Sequence, residues 1–446
     1  MMKSHTLRRL AETIVAALTI GAPLAAIAQT AGAGAPTKID SGDTAWMLTS
    51  SLLVLMMTIP GLALFYAGMV RKKNILATLA QSFGATAVIT IVWMVVGYSI
   101  AFTGSGAFIG DFKYILLAPM GLNSVSPLAP TIPETVYMMF QMTFAIITPA
   151  LIAGALADRM KYSAFLLFMA AWLVLVYCPI AHWVWGGGWL GAKGALDYAG
   201  GTVVHLNAGT AGLITALMLG KRKGLGTENM APHNLAYSVI GASLLWVGWF
   251  GFNAGSALTS NVNAGMAMVA TQIATAAAAL SWMAAEWIIA KKPSVLGMVS
   301  GAVAGLVAIT PASGFVDPRG ALVIGVAAGI VCYIAAVHVK KMIGYDDSLD
   351  CWGVHGVGGA LGAIMTGMFA SKAINPSGAP KGGWLIDGNI GQMVLQFEDV
   401  GAVFAYCAAV TFLILLVLKY TIGIRVSDEV EMEGLDINLH GEVVHG

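Results

Sequence analysis

Long apolar runs, each bounded by a short charged segment, follow one another along most of the chain. A helix needs roughly 20 apolar residues to cross the hydrocarbon core of a bilayer. Runs that can supply such a helix occupy residues 44–70, 74–103, 135–157, 162–184, 198–220, 234–253, 264–290, 293–316, 320–339, 351–371 and 392–418. We therefore predict an all-α integral membrane protein with eleven transmembrane helices.

Composition excludes the other broad classes of protein. Only 10% of the 446 residues are charged and 58% are hydrophobic, whereas about 25% of the residues of a soluble domain are charged. Disorder requires low hydrophobicity and a high net charge. The net charge of +1 provides no basic surface for nucleic acid. The four cysteines are scattered, without a metal-binding or nucleophilic motif, so the sequence predicts neither an enzyme nor a bound metal or cofactor.

The N-terminus has the features of a secretory signal peptide. Lys3, Arg8 and Arg9 form a positive region, an apolar stretch covers 14–27, and Ala26-Ile27-Ala28 is typical of a cleavage site. We divide the chain accordingly into a signal peptide (1–28), an extracytoplasmic linker (29–43), a membrane domain (44–425) and a cytoplasmic tail (426–446).

Basic residues alternate from loop to loop, and this alternation predicts the orientation. Five loops carry twelve of them, at Arg71-Lys72-Lys73, Arg159 and Lys161, Lys221-Arg222-Lys223, Lys291-Lys292, and Lys340-Lys341. The other five loops carry only Lys113, Lys193, Arg319, Lys372 and Lys381. Because cytoplasmic loops are richer in Lys and Arg, we predict a multi-pass protein of the cytoplasmic (inner) membrane, with its N-terminus outside and its C-terminus inside.

Two histidines indicate an internal repeat. When His205 is aligned with His355, Val204 meets Val354 and Gly209 meets Gly359. The two histidines belong to spans 5 and 10, so two halves of five spans are related. Five is an odd number, and the second half is therefore inverted relative to the first, with one extra helix at the C-terminus. Inverted 5+5 repeats around a central pore are typical of transporters.

The same histidines are ionisable groups inside predicted membrane spans, which marks them as functional candidates. Two facing imidazoles can share a proton along an N–H···N bond and line a narrow path. The alternative is a pair of axial ligands to haem in a membrane redox protein. Residue types alone leave both interpretations open.

Aromatic residues at the outer or middle depth of their spans are a second feature. They include Phe140, Phe144, Trp185, Trp249 and Phe252. Aromatic faces attract cations, although aromatic residues also collect at membrane interfaces for structural reasons. The hydroxyl of Ser256, just after span 6, would add an acceptor suited to a small cation that donates hydrogen bonds.

Two carboxylates near span ends have structural interpretations. Asp197 at the start of span 5 is expected to cap the helix, and its field would also favour a cation at the outer face. Glu286 lies just over one turn before Lys291 and is expected to form an ion pair with it.

Several motifs together resemble the ammonium transporter family (Amt/Mep, related to Rh proteins). They are Thr58-Ile59-Pro60-Gly61 through Phe65-Tyr66, Phe140-Gln141 through Phe144, Ala181-His182 through Gly188, Gly194 through His205, Gly248 through Ser256, Gly353-Val354-His355-Gly356, and the tail from Glu433 to Glu442. They run in family order from about residue 44 to the end of the chain.

The resemblance implies a homotrimer in which each subunit has its own pore for ammonium or ammonia, with methylammonium as a second substrate. It assigns the outer ammonium site to Phe144, Trp185 and Ser256, with Asp197 supporting that site without touching the ion. Phe140 or Phe144, with Phe252, would form the gate, His205 and His355 the twin histidines, and Trp249 the wall. A PII-type signal protein would dock on the cytoplasmic face, where we expect Asp350, Lys340 and Lys341.

The mechanism expected from this resemblance is deprotonation of ammonium and conduction of ammonia past the histidines. An ammonium sensor is a weaker alternative, because such sensors usually append a signalling domain and only Lys419–Gly446 follow the last span. A symporter for a larger amine or for urea is the nearest rival among transporters.

Overall fold

A computed structural model describes residues 38–444, and within them the regular structure is helical apart from one β-bridge between Met160 and Arg425. The predicted signal peptide and residues 29–37 of the predicted linker lie outside the described residues. The last described linker residues are already helical, because the first helix begins at Ser41, where Asp40 accepts a hydrogen bond from the backbone of Asp43.

The helices match the predicted apolar runs one by one. In chain order they are α1 (Ser41–Met69), α2 (Lys72–Phe102), α3 (Glu134–Leu156), α4 (Tyr162–Lys193, with a turn at 185–188), α5 (Gly201–Leu219), α6 (Leu235–Gly255), α7 (Val262–Ala290), α8 (Val295–Ile309), α9 (Pro318–Ile343), α10 (352–369) and α11 (Ile390–Thr421). Within residues 38–444, nine of them are long and apolar enough to cross a membrane.

The two helices outside that set of nine are α8 and α10. Helix α8 has only 15 residues, whereas its predicted span covered 293–316. Helix α10 contains six glycines, which contribute little to its apolar character. A multi-pass helical membrane protein is confirmed, whereas eleven spans, the orientation and the inverted repeat stay predictions.

Helices α5 and α10 meet at two glycines, and each contact leaves no room for a side chain. A Cβ atom on Gly209 would lie 2.1 Å from the backbone nitrogen of Gly356. One on Gly359 would lie 2.5 Å from the carbonyl oxygen of Gly201. Small residues allow such backbone contact between membrane helices. The two contacts are reciprocal, because each of the two glycines packs against the first turn of the opposite helix.

Both helices begin with a π-helical turn that carries a histidine. The turn Gly201–Leu206 contains His205, and the turn Trp352–Gly356 contains His355. Such turns interrupt the regular hydrogen-bond ladder and are frequent at functional sites. The glycine contacts bring the two turns together, and both histidines are buried inside the protein.

At one end of the molecule, the loops predicted to be cytoplasmic are joined by ion pairs. We call Arg71, Asp158, Arg222 and Asp346 the arginine–aspartate cluster. Buried Asp158 accepts from Arg71 at 3.1 Å and lies 3.6 Å from Arg222, and Arg222 forms a forked pair with Asp346. Burial alone would raise the pKa of Asp346, but its hydrogen bonds from Arg222 hold that pKa below the usual value.

The predicted tail folds back on the same end. A short helix, α12 (Asp428–Glu433), brings Glu431 against Arg425 and the backbone of Lys223. Further along, the carboxylate of Asp436 accepts from the backbone nitrogens of Leu76 and Ala77 at the start of α2, at 3.0 and 2.8 Å. Burial raises the pKa of Asp436.

The predicted ion pair between Glu286 and Lys291 is wrong. Glu286 instead accepts from the backbone nitrogen and hydroxyl of Ser294, each at 2.9 Å, and the ammonium group of Lys291 donates to the carbonyl oxygen of Ile288. The chain turns sharply after α7, so the start of α8 comes closer to Glu286 than the lysine does.

Replacing Asp158 tests the arginine–aspartate cluster. Asp158→Ala removes the carboxylate that two largely buried guanidinium groups share, although Arg222 keeps its pair with Asp346 and Arg71 its pair with Glu228. The loss of these buried hydrogen bonds costs about 1–3 kcal/mol. We expect a clear fall in the thermal unfolding temperature of the purified protein in detergent. Arg319→Ala is the control, since that side chain is 93% exposed and its surface pair with Asp317 contributes little. Equal unfolding temperatures for the two variants would contradict the stabilising role of the cluster.

Candidate functional site

An aromatic pocket opens on the end of the molecule opposite the arginine–aspartate cluster. Its volume is about 270 Å³, and Phe140, Phe144, Trp185 and Ser256 all line it. The structure therefore brings together the three predicted outer-site residues, of which Phe144 is also a predicted gate residue, and a second predicted gate residue, Phe140. The hydroxyl of Ser256 donates to the carbonyl oxygen of Phe252 at 2.8 Å, so its oxygen is left to accept a hydrogen bond from a ligand.

The pocket also contains residues that the sequence did not single out. Tyr137, Gln141 and Tyr198 line it beside the aromatic rings, together with Leu128, Val184 and Leu258. Tyr137 lies three residues and Gln141 one residue from Phe140, so helical spacing alone offered a signal for Tyr137. Tyr198 comes from the segment before α5, and only its position next to Asp197 could have indicated it.

Two phenylalanine rings separate the pocket from the interior. Phe144 of α3 and Phe252 of α6 are stacked, with ring centroids 4.1 Å apart and an interplanar angle of 28°. Phe140 contacts Phe144 edge to face at 4.9 Å on the pocket side. Of the two alternatives predicted as the partner of Phe252, the stacked one is Phe144.

Below the phenylalanines, the two histidines are in direct contact. The Nδ1 atoms of His205 and His355 are 3.3 Å apart, and the rings are nearly parallel at 20°. His205 also stacks on Trp249 at 5.3 Å and on Phe252 at 6.0 Å. Trp249 is fixed by a hydrogen bond from its indole nitrogen to Thr310 at 2.9 Å. The pair is thus enclosed by aromatic surface.

This geometry bears on the haem alternative. A haem held by both histidines needs an iron and a flat macrocycle between the two ligand nitrogens. The facing nitrogens here are within hydrogen-bond distance of each other, and Trp249 and Phe252 cover the ring of His205. The residues present do not fit a haem between the rings. Within residues 38–444, no group of three His, Cys, Asp or Glu side chains could hold a metal ion.

Asp197 caps α5, as predicted, and connects that helix to the pocket. One carboxylate oxygen accepts from the backbone nitrogens of Gly200 and Gly201, at 2.8 and 2.6 Å. The other accepts from the nitrogen and hydroxyl of Thr202 and from the nitrogen of Val203. The indole nitrogen of Trp185 donates to the backbone carbonyl of Asp197 at 2.8 Å. Asp197 is not among the pocket-lining residues, and its connection to the pocket is the hydrogen bond from Trp185.

A small inner cavity of about 40 Å³ follows the histidine pair. His355, Tyr66 and Asp350 are among the residues that line it. Asp350 is also ion-paired with Lys340, which donates as well to the carbonyl oxygen of Asp347 at 3.2 Å, whereas Lys341 is exposed. Burial raises the pKa of Asp347 to about 6, with a further contribution from Asp350.

The pocket, the phenylalanine stack, the histidine pair and the inner cavity follow one another through the interior of a bundle of apolar helices. Such an enclosed series, lined by aromatic rings and two imidazoles, defines a membrane transport protein of the channel or transporter class.

Comparison with known proteins identifies the family. A family model described as "Ammonium Transporter Family" matches residues 45–445. The "Ammonium transporter" of Bacillus subtilis (strain 168) is 48% identical over 401 residues, covering 90% of this chain and 98% of that protein. The "Ammonium transporter" of Aquifex aeolicus (strain VF5) is 52% identical over 408 residues, covering 91% and 93%. The chain belongs to the ammonium transporter family.

Solved structures agree with this assignment. The crystal structure of Candida albicans Mep2 is 37% identical and has a TM-score of 0.82, covering 88% of this chain and 87% of that chain. A solved "Sensor Amt Protein" is 29% identical with a TM-score of 0.81, covering 90% and 98%.

Asp197→Asn tests how much the hydrogen bonds of the Asp197 cap stabilise the folded protein. An amide would turn an NH2 group towards backbone N–H groups that now share a carboxylate, and each buried donor left unsatisfied costs about 1–3 kcal/mol. We expect a lower thermal unfolding temperature than for the wild type.

Asp317→Asn is the matched control, because Asp317 caps α9 in a partly exposed position with one backbone bond, to Gly320 at 2.9 Å. An exposed cap has water as an alternative partner, so its replacement should have a smaller effect. If both variants unfold at the same temperature, the dense hydrogen bonding of Asp197 does not stabilise the protein beyond an ordinary cap.

Proposed function

We propose that this protein carries ammonium nitrogen across the cytoplasmic membrane. Ammonium is recruited in the aromatic pocket and gives up a proton, either to water at the mouth of the pocket or to the histidine pair. Ammonia then passes the phenylalanine gate and the twin histidines. The observation that carries this proposal is the contact of His205 and His355 directly beneath the stacked Phe144 and Phe252. The names of the relatives, which are ammonium transporters, support the same substrate.

The pocket has the chemistry that an ammonium ion requires. The faces and edges of Phe140, Phe144 and Trp185 surround a small volume and attract a desolvated cation. The oxygen of Ser256 can accept one of the ion's hydrogen bonds. The carboxylate of Asp197 supports the site electrostatically without touching the ion. The phenylalanine stack below the pocket, with ring centroids 4.1 Å apart, argues against a larger amine or urea, while methylammonium is only one methyl group larger than ammonium.

Desolvation explains why the proton should be removed. A bare cation in a narrow apolar passage loses its hydration at a cost of several kcal/mol or more. Ammonia is neutral and avoids most of this cost. A potassium ion has a similar size but no proton to release, so the same passage excludes it. The histidine pair offers hydrogen-bonding nitrogens to ammonia in an otherwise apolar passage.

The finer features follow the same proposal. We propose cleavage after Ala28, eleven spans and an N-terminus outside. The proposed orientation is supported by the basic loops, which the arginine–aspartate cluster joins at one end of the molecule. We further propose a homotrimer with one pore per subunit, and docking of a PII-type signal protein near Asp350, Lys340 and Lys341. The exposed side chain of Lys341 and the partly exposed side chain of Asp350 support an accessible face.

Purified protein in liposomes under an imposed ammonium gradient tests the proposal. Membrane current and luminal pH are recorded together, with protein-free liposomes as the control. A protein-dependent current means that net charge moves, as ammonium or as ammonia with a relayed proton. A protein-dependent rise of luminal pH without current means that neutral ammonia moves. No protein-dependent signal would overturn the proposed transport and favour the sensor alternative, which the fold of the solved sensor Amt protein supports.

The double variant His205→Ala, His355→Ala tests the role of the twin histidines. Removing both rings opens a cavity that water can enter, which lowers the desolvation cost for a cation. We expect the preference for ammonium over potassium to fall by about tenfold or more, equivalent to about 1.4 kcal/mol. Parallel ammonium and potassium gradients across proteoliposomes measure this preference.

The control for this experiment is His338→Ala. His338 lies on α9, and its ring contacts Tyr333 at a centroid distance of 5.5 Å rather than any residue of the path. Unchanged uptake together with unchanged exclusion of potassium in the double variant would show that the histidines are not the filter.

A further inference from the structure

A second carboxyl group lies buried behind Asp197 in a place that the proposed transport path does not use. Asp399 belongs to α11 and its side chain is fully buried. One of its oxygens, Oδ2, lies 3.0 Å from the hydroxyl of Thr202. The other, Oδ1, has no hydrogen-bond partner among residues 38–444. The charged side chains next to it in the sequence and at the surface do not contact Asp399, since Glu398 turns to the surface and pairs there with Lys193.

The hydroxyl of Thr202 therefore stands between two carboxyl groups. It is 2.8 Å from Oδ2 of Asp197 and 3.0 Å from Oδ2 of Asp399. A hydroxyl group has one hydrogen to donate. The Thr202 oxygen is within hydrogen-bond distance of two carboxyl oxygens, and each of these two hydrogen bonds needs its own hydrogen. Thr202 supplies one hydrogen, so one of the carboxyl groups must supply the other.

The surroundings decide which carboxyl group carries that hydrogen. Both oxygens of Asp197 face donors, namely four backbone nitrogens and the Thr202 hydroxyl. A proton on either oxygen of Asp197 would point towards these donor hydrogens and would break at least one of the hydrogen bonds. Asp399 has no such donors, and burial without a cation disfavours the charged form of a carboxyl group.

We propose that Asp399 is a neutral carboxylic acid that donates to the Thr202 hydroxyl and so turns the hydrogen of Thr202 towards Asp197. Asp399 is then a positioning residue. Its effect reaches the aromatic pocket through three successive contacts, from Asp399 to Thr202, from Thr202 to Asp197, and from the Asp197 carbonyl to the indole of Trp185.

Neutrality of Asp399 has a consequence for the outer site. A single negative charge, that of Asp197, then lies behind the pocket. A second one beside it would repel Asp197 and bind the incoming cation more tightly, which would slow its release into the passage. This consequence rests on the proposed function, whereas the protonation of Asp399 does not.

Infrared spectroscopy of the full-length protein in lipid tests the protonation directly. At alkaline pH, where exposed carboxyl groups are ionised, subtracting the spectrum of Asp399→Asn from that of the wild type should leave the carbonyl band of one carboxylic acid. Glu398→Gln, at the adjacent position but in a surface ion pair, should instead remove an ionised-carboxylate band. Loss of an ionised-carboxylate band in Asp399→Asn would overturn the proposal.

A pair of threonine variants keeps the test informative if Asp399→Asn does not fold. Thr202→Ser retains the hydroxyl and should leave the acid band where it is. Thr202→Val removes the acceptor and should shift the band to the higher frequency of a more weakly hydrogen-bonded acid. An unchanged band in Thr202→Val would contradict the proposed bond between Asp399 and Thr202.

Ammonium transport provides a readout that separates positioning from packing. In Asp399→Asn the amide can still donate to Thr202. We therefore expect the half-saturating ammonium concentration of this variant to stay within about twofold of the wild type. Asp399→Val has no donor and should raise that concentration about three- to tenfold, as expected for the loss of one net hydrogen bond. Equal effects of Asn and Val would reject the positioning role. If the wild type itself shows no transport, the proposed function fails while the infrared result still decides the state of Asp399.

Discussion

Close contact between α5 and α10 is the interaction on which the proposed path through this protein depends. Two imidazole rings from different helices can come within hydrogen-bond distance through their Nδ1 atoms only if the helix backbones lie nearer to each other than ordinary side chains permit. Gly209 and Gly359 permit it, because each packs against the backbone of the opposite helix. The π-helical turns at the start of both helices then direct His205 and His355 towards each other. Phe252 and Trp249 exclude water from the pair by stacking on His205.

The last helix, α11, supports the outer half of this arrangement. Gln396 holds the segment before α5 through both ends of its amide, accepting from the nitrogen of Leu196 and donating to its carbonyl oxygen, each at 2.8 Å. The same amide donates to Ala363 of α10 at 3.0 Å. Three residues further along, Asp399 meets Thr202. A helix outside the predicted pair of five-span halves thus joins both histidine-bearing helices at their outer side.

The sequence predicted the class of fold because that class depends on local patterns, whereas the roles of most candidate site residues came from the resemblance to a family. Apolar runs place most helix ends to within a few residues, except at the end of α8, which stops at Ile309 and not at 316. Intramembrane histidines are rare enough to stand out. The sequence could not predict which phenylalanine stacks on Phe252, because Phe140 and Phe144 are one helical turn apart and share a face. It also could not predict the bond between Thr202 and Asp399, since these residues are 197 positions apart. The expected pair of Glu286 and Lys291 failed for a related reason, because a turn brought Ser294 closer than helical spacing suggested.

The backbone contacts at Gly209 and Gly359 also determine how this protein can be altered. The separation of α5 and α10 at the histidines is set by the contact of two peptide backbones and not by the bulk of exchangeable side chains. Trimming a ring can therefore make a local void but cannot move the walls apart. A version that admits a larger solute would require a new crossing of α5 and α10, which many simultaneous substitutions must support. Divergence of this scaffold towards bulkier cargo is consequently a matter of repacking helices and not of point mutation.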